Sequence, residues 1–281
     1  MNNRISYKTD NFLELGQDLK RASICISADG CSFTACKPGT KEILAFLHEP
    51  IFMHNQGLLE YKIENILISN KWLTELEYNR IDVIIDSKLL AFVPEISFSE
   101  TMLDKYLVPT SSSDSKLRYS KIKESSLYAV FEDFTWTDGL LAQYFNCKDI
   151  RHSHNMSLLT DRTETTKRKT VVSCHLSANH LYVCAMNRNT ELLNYISVDI
   201  VSKEDVLYYL LKVIRSLPTP PNEISLNFSG LLNSSFIRFM KRNLKDVEIV
   251  VCENEVPWAV NDKNGCWTEY YDLLKLCQCE S

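Results

Sequence analysis

The chain has 281 residues, 45% of them hydrophobic, with 31 Lys and Arg against 36 Asp and Glu, a formal net charge of −5. That length and apolar content suffice for about two domains with buried cores. A mildly acidic chain lacks the concentrated Lys and Arg that nucleic acid or anionic lipid demands, so neither is expected as a partner.

The first residues, MNNRISYKTDNF, contain no apolar stretch of signal-peptide type, and no apolar run nearby is long enough to span a bilayer. A cytoplasmic protein without membrane insertion is expected. Ten cysteines include Cys25, Cys36, Cys174, Cys184 and Cys252 inside apolar strand-like segments, and no C-x-x-C pair occurs. Reduced, buried thiols are the reading for these. Cys277 and Cys279, at i and i+2 without a second pair, read as the end of the chain and not as a metal site.

Along the chain, "ISADGCSF" (26–33) reads as strand, tight turn and strand. Its Asp29-Gly30 pair suits the positive φ of a two-residue hairpin, so the turn is read as only reversing the chain. The turn Lys37-Pro-Gly-Thr40 and a third strand, "EILAFL" (42–47), follow. Leu58, Leu59, Ile63, Ile66 and Leu67 have helical spacing, and "VIIDSKLL" (83–90) contains the next strand. A second helix is expected at about 99–107, stopped by Pro109, and a closing strand at about 126–132. The polar segment Thr160–Thr170 reads as a hinge, its Lys167-Arg-Lys169 solvated.

The pattern then starts again. "LSANHLYVCAMNRNT" (176–190) aligns without a gap on 26–40 at an offset of 150, matching Ser27 with Ser177, Ala28 with Ala178, Ala35 with Ala185 and Thr40 with Thr190. "ELLNYI" (191–196) answers "EILAFL". Ser202 and Asp205 form an Asp version of the capping box, ahead of an apolar stripe from Val206 to Leu217 that Pro218 stops. "SLNFSGLL" (225–232) answers "VIIDSKLL", with a helix at 234–244 and a strand at 247–252 to follow. Each half therefore reads β-β-β-α-β-α-β, an α/β class built on mixed sheets, with a first domain at 1–165 and a second at 166–281.

A duplicated unit of this order resembles the ribonuclease-H-like half of the actin-like ATPase superfamily. The whole chain, from "RASICISADGCSF" (21–33) through "NEISLNFSGLL" (222–232) to its Trp-rich C-terminal region, is also similar to an uncharacterised bacterial family, domain of unknown function 3822. The resemblance implies a two-lobed body with a nucleotide cleft. In such bodies an Asp-x-Gly turn after the first strand of each half offers backbone N–H groups to phosphate, and a Gly-Gly pair admits adenosine. Glycine is needed there because only a residue without Cβ lets the backbone come so close. Carried over position by position, the cofactor-binding candidates are Ser27, Asp29 and Gly30 in the first turn, Ser177 and Asn179 in the second, and Ser229 and Gly230 at the adenosine position.

All three elements depart from the pattern. Ser27 stands where the resemblance requires Asp, Asp29 where it requires Gly, Ser177-Ala-Asn-His180 has neither, and the seven glycines include no adjacent pair. The first reading is therefore a non-enzymatic binding or scaffolding module with a protein partner and no cofactor. The second is a divergent nucleotide-binding protein that holds ATP and Mg²⁺ in the cleft. The third is a metal-dependent hydrolase using the strand-end carboxylates Asp29, Asp86 and Asp133. His152 and His154 read as ordinary surface or edge positions and not as a metal site, and His175 and His180 flank the second turn with no nucleophile beside them in sequence. Trp258, Trp267, Tyr270 and Tyr271 read as packing within the second domain.

Overall fold

The structure is a computed structural model and describes residues 4–10, 12–14, 21–27, 30–37, 42–51, 58–107, 115–123, 125–160, 168–177, 179–253, 268 and 270–278. The first half contains β1 (Ile5–Lys8), β2 (Arg21–Ser27), β3 (Gly30–Cys36), β4 (Ile43–Pro50), α1 (Leu59–Ser69), β5 (Arg80–Ile85), β6 (Leu90–Pro94), α2 (Leu103–Tyr106), β7 (Ser115–Lys121), β8 (Leu127–Phe134), α3 (Thr137–Tyr144), β9 (Asp149–His154) and α4 (Asn155–Leu159). The second contains β10 (Thr170–Ser177), β11 (His180–Asn187), β12 (Leu192–Asp199), α5 (Lys203–Ser216), β13 (Ile224–Gly230), α6 (Ser234–Asn243), β14 (Glu248–Val251) and α7 (Tyr271–Gln278).

The main sheet of the first half runs β1-β4-β3-β2-β5-β9, and that of the second runs β12-β11-β10-β13-β14. Apart from edge strand β1, the two orders correspond: an antiparallel meander, then two strands added in parallel. The second half follows the expected element order, and Ser202 and Asp205 make both hydrogen bonds of the capping box on α5.

The first half departs from it by an insertion. The strand expected at 126–132 is β8, which pairs with β6 and β7 in a separate three-stranded sheet. The strand that closes the main sheet is β9, beside β5. Only Leu103–Tyr106 of the helix expected at 99–107 is α-helical, after a 3₁₀ turn at Glu100–Met102. Alternating apolar residues such as Leu127, Ala129 and Phe131 signal a strand with one buried face but not the sheet it joins.

Three apolar clusters hold these layers. Alternation along β5 sends Ile81, Val83 and Ile85 to the face covered by α1 and α3, and Ile84 to the opposite face. That opposite face is covered by Tyr270, Leu273, Leu274 and Leu276 of the C-terminal segment. Tyr270 thus packs on the first half, 5.0 Å from Phe46 between ring centroids, and not within the second as expected. With both faces of the sheet covered, every residue of β3 is buried. Tyr182, Cys184 and Met186 of β11 also join the first half's cluster, so the halves share a core. Trp258 and Trp267 lie outside the described residues. Cys25, Cys31, Cys147, Cys174, Cys184 and Cys252 form no disulfide, whereas Cys36 is disulfide-bonded, which corrects the reduced state expected for it.

Candidate functional site

The C-terminal ends of the central parallel strands meet between the halves, which is where open α/β sheets bind ligands. Ser27 ends β2, Ser177 ends β10 and Gly230 ends β13, while Asp86 follows β5 and its N–H donates to Ile26 O at 3.0 Å. Ser177 donates its hydroxyl to Asp86 Oδ2, and Asn155 donates to Asp86 Oδ1 at 2.8 Å. One carboxylate is thereby gripped from both halves.

The space left is a cavity of about 30 Å³, lined among others by Ser27, His48, Asp86, His175, Ser177 and Asp272. It has room for one or two water molecules. Two of its imidazoles are oriented by serine hydroxyls: His48 Nδ1 lies 2.8 Å from Ser32 Oγ, and His175 Nδ1 lies 2.9 Å from Ser229 Oγ. Asp272, in the first turn of α7, is buried, and its N-terminal position lets it accept from Leu273 N at 2.9 Å. Burial pushes its carboxyl above the usual range, against the opposing influence of His175.

The glycines carry a different load from the one the resemblance assigns them. Gly30 is the first residue of β3, paired directly with Ser27, and is not a turn residue with positive φ. A Cβ there would lie 2.7 Å from Glu49 O and 2.8 Å from the His48 ring, so the neighbouring strand needs glycine. Ser27 Oγ donates to Gly30 O at 3.0 Å. Gly230 has φ +91°, and a Cβ would fall 2.0 Å from Leu176 O. Its N–H donates to Thr268 O at 2.9 Å, and Thr268 Oγ1 returns a bond to Gly230 O at 2.6 Å. Asp29 lies outside the described residues; Asn179 is exposed and accepts from Ile200 N at 2.8 Å.

Asp86 and Asp133 belong to separate networks. The Asp133 side chain is fully buried, accepting from Phe134 N at 2.7 Å, Thr137 Oγ1 at 3.0 Å and Arg118 Nε. His152 stands between Asp133 Oδ2 at 3.1 Å and Asp138 Oδ1 at 2.9 Å, in close contacts without hydrogen-bond alignment. Burial alone would raise the Asp133 carboxyl, but contact with His152 and Arg118 outweighs it and holds the group below its usual value. Among the described residues, no three His, Cys, Asp or Glu side chains are arranged to hold a metal ion.

Sequence reasoning misses Asn155, Lys88, Asp199 and Asp272. The amphipathic run Leu273, Leu274 and Leu276 flags α7 as a packing helix, but nothing local says that it returns to the first half. His154 ends edge strand β9 but is fully buried and not at the surface: Nδ1 accepts from Met156 N at 3.1 Å, and Nε2 donates to Ser87 O at 2.7 Å. Burial depresses it to about 4, and this bonding pattern fits a neutral ring.

The family model described as protein of unknown function (DUF3822) matches residues 11–242. A search of curated proteins finds none that match. Among solved structures, the chain is similar to a Bacteroides thetaiotaomicron protein with an actin-like ATPase fold and unknown function. That match has a TM-score of 0.76 and 18% identity over 97% of this chain and 100% of the other. It is also similar to the ethanolamine utilization protein EutJ from Carboxydothermus hydrogenoformans, with a TM-score of 0.52 and 8% identity over 96% and 99%. The fold is actin-like. Among the described residues no helix is long and apolar enough to cross a membrane.

Proposed function

The chain belongs to the DUF3822 family, and on that premise we propose that it is a non-enzymatic binding or scaffolding module, an actin-like body made by internal duplication that has lost its nucleotide. The observation that carries this reading is the cleft itself: Asp86, Ser177 and Asn155 bond across it, and the cavity left beside them has room for one or two water molecules. A Cβ at Gly30 or Gly230 would meet the backbone of a neighbouring strand, so packing within the protein accounts for both glycines without phosphate or adenosine. The net charge of −5 favours a protein partner over nucleic acid; Cys25, Cys31, Cys147, Cys174, Cys184 and Cys252 form no disulfide, which suits the cytoplasm, whereas the disulfide at Cys36 points the other way.

The test is a thermal-shift titration with ATP, ADP and Mg²⁺, alone and together. A ligand at ~100 Kd that binds only the native state adds about 2.7 kcal/mol, several degrees of melting temperature. No shift at millimolar nucleotide is expected. A saturable, Mg²⁺-dependent rise would overturn the reading in favour of a divergent ATP-binding protein.

A further inference from the structure

Lys88, in the turn after β5, is held by the second half at two points. Its Nζ lies 2.5 Å from Asp199 Oδ1, and its backbone carbonyl accepts from Ser197 Oγ at 2.8 Å. Between those two β12 side chains stands His180, the first residue of β11. Its Nδ1 is 2.8 Å from Asp199 Oδ1 and its Nε2 is 2.7 Å from Ser197 Oγ. The contacts close a ring that begins and ends on one residue of the first half.

Counting hydrogens fixes the state of that ring. A carboxylate only accepts, so Nδ1 must carry a proton. The single hydroxyl proton of Ser197 goes to the Lys88 carbonyl, so Ser197 Oγ accepts from Nε2, which must carry a proton as well. A neutral imidazole would leave one of these short contacts as two acceptors facing each other. The ring is complete only around an imidazolium.

We propose that this ring is a proton-dependent latch between the halves, closed when His180 is protonated and released when it is not. The groups facing His180 are Asp199 on β12, Lys88 and beyond it Asp86 on the turn after β5, Tyr182 on its own strand with ring centroids 4.5 Å apart, and His154 at the end of β9. Of these, Asp199 and Asp86 are acidic and Lys88 basic, while the hydrogen bonds of His154 fit a neutral ring. The Lys88–Asp199 pair is exposed at both side chains and holds weakly by itself. The His180 side chain is 8% exposed, so its bonds are the discriminating part. Closure takes up a proton, so acidification favours the closed body and alkalinisation the open one. The latch does not depend on whether the cleft takes a nucleotide.

The experiment has two readouts on the intact chain. Nitrogen-15 imidazole shifts report which His180 nitrogens carry hydrogen, and energy transfer is followed between dyes attached through unnatural amino acids at exposed Tyr61 on α1 and Tyr208 on α5. Between about pH 5 and pH 8, where histidine titrates, transfer should fall as pH rises while circular dichroism stays constant. Both nitrogens should be protonated at the acidic end, and His180→Gln should abolish the response. A singly protonated His180 ring at the acidic end overturns the proposal, as does transfer that is flat across the window or a response that persists in His180→Gln.

Discussion

Asp86 and Ser177, ninety-one residues apart in sequence, share a hydrogen bond that joins the end of β5 in one half to the end of β10 in the other. Its acceptor is a carboxylate at the edge of a small cavity, so the hydroxyl cannot be replaced by bulk water. Ser177→Ala should cost about 1.5–3 kcal/mol, the range for hydrogen bonds to charged groups. Urea denaturation measures it directly. An unchanged midpoint would mean that Asp86 is well solvated and that the halves are joined elsewhere.

Gly230 combines φ +91° with a backbone oxygen 2.0 Å from where a Cβ would sit. Gly230→Ala should lose about 3 kcal/mol or more, from left-handed backbone strain and overpacking together. That corresponds to a drop of roughly 6 °C or more in Tm. Gly139, in α3, is the matched control, because a Cβ added there would meet nothing within 4 Å. Gly139→Ala should be neutral or stabilising by about 0.5–1 kcal/mol.

Arg118 of β7 reaches Asp133 on the neighbouring β8 and Asp138 on α3, the latter at 2.6 Å, and so ties the inserted sheet to that helix. Arg118→Met keeps most of the side-chain volume and strands a fully buried carboxylate, which should cost on the order of 3 kcal/mol. Asp133→Asn in the same background should restore part of it. A chemical-denaturation comparison of the single and double variants decides the point.

His154 gives the stability a pH dependence of defined sign. Its ordinary value is 6.5, and burial lowers it to about 4 in the folded protein. The unfolded chain takes up this proton as pH falls through 6.5, while the folded one resists until about 4, so stability declines as pH drops across that window. At about 1.4 kcal/mol per unit, the loss between pH 6.5 and 4.5 is roughly 2–3 kcal/mol. Asp133 and Asp138 are held low, by burial outweighed through contacts with His152, Arg118 and Lys116, and matter only below this window. Asp272, raised by burial, acts in the opposite direction. Comparing urea midpoints at pH 7 and at about pH 4.5 for the wild type and His154→Asn isolates the histidine, and the variant should lose less.

Much of the scaffold is legible in the sequence because its signals are local. The hairpin registers, the Ser202–Asp205 cap and the stop at Pro218 each depend on residues a few positions apart. The inserted sheet is not legible, because β8 alternates in the same way whichever partner it pairs with. The site is legible in part. Asp86, Ser177 and Gly230 stand out in the sequence, but the resemblance assigns Gly230 to adenosine, whereas it accommodates Leu176. Gly30 follows an Asp and so looks like a turn residue, yet it serves the contact with β4 across the sheet. Histidine is polar, and its place in the sequence points to edges and turns. His154, His175 and His180 are buried because serines, carbonyls and Asp199 meet them only after folding.

The return of α7 to the first half has a consequence for birth on the ribosome. Phe46 and Ile84 wait for Leu273, Leu274 and Leu276, and the opposite cluster waits for Tyr182, Cys184 and Met186. At about 5–20 residues per second, more than a hundred residues must emerge after α4 before that greasy face is covered, roughly 5–20 s of exposure. The N-terminal part of the chain is thus finished last, with the C-terminal helix as its final piece.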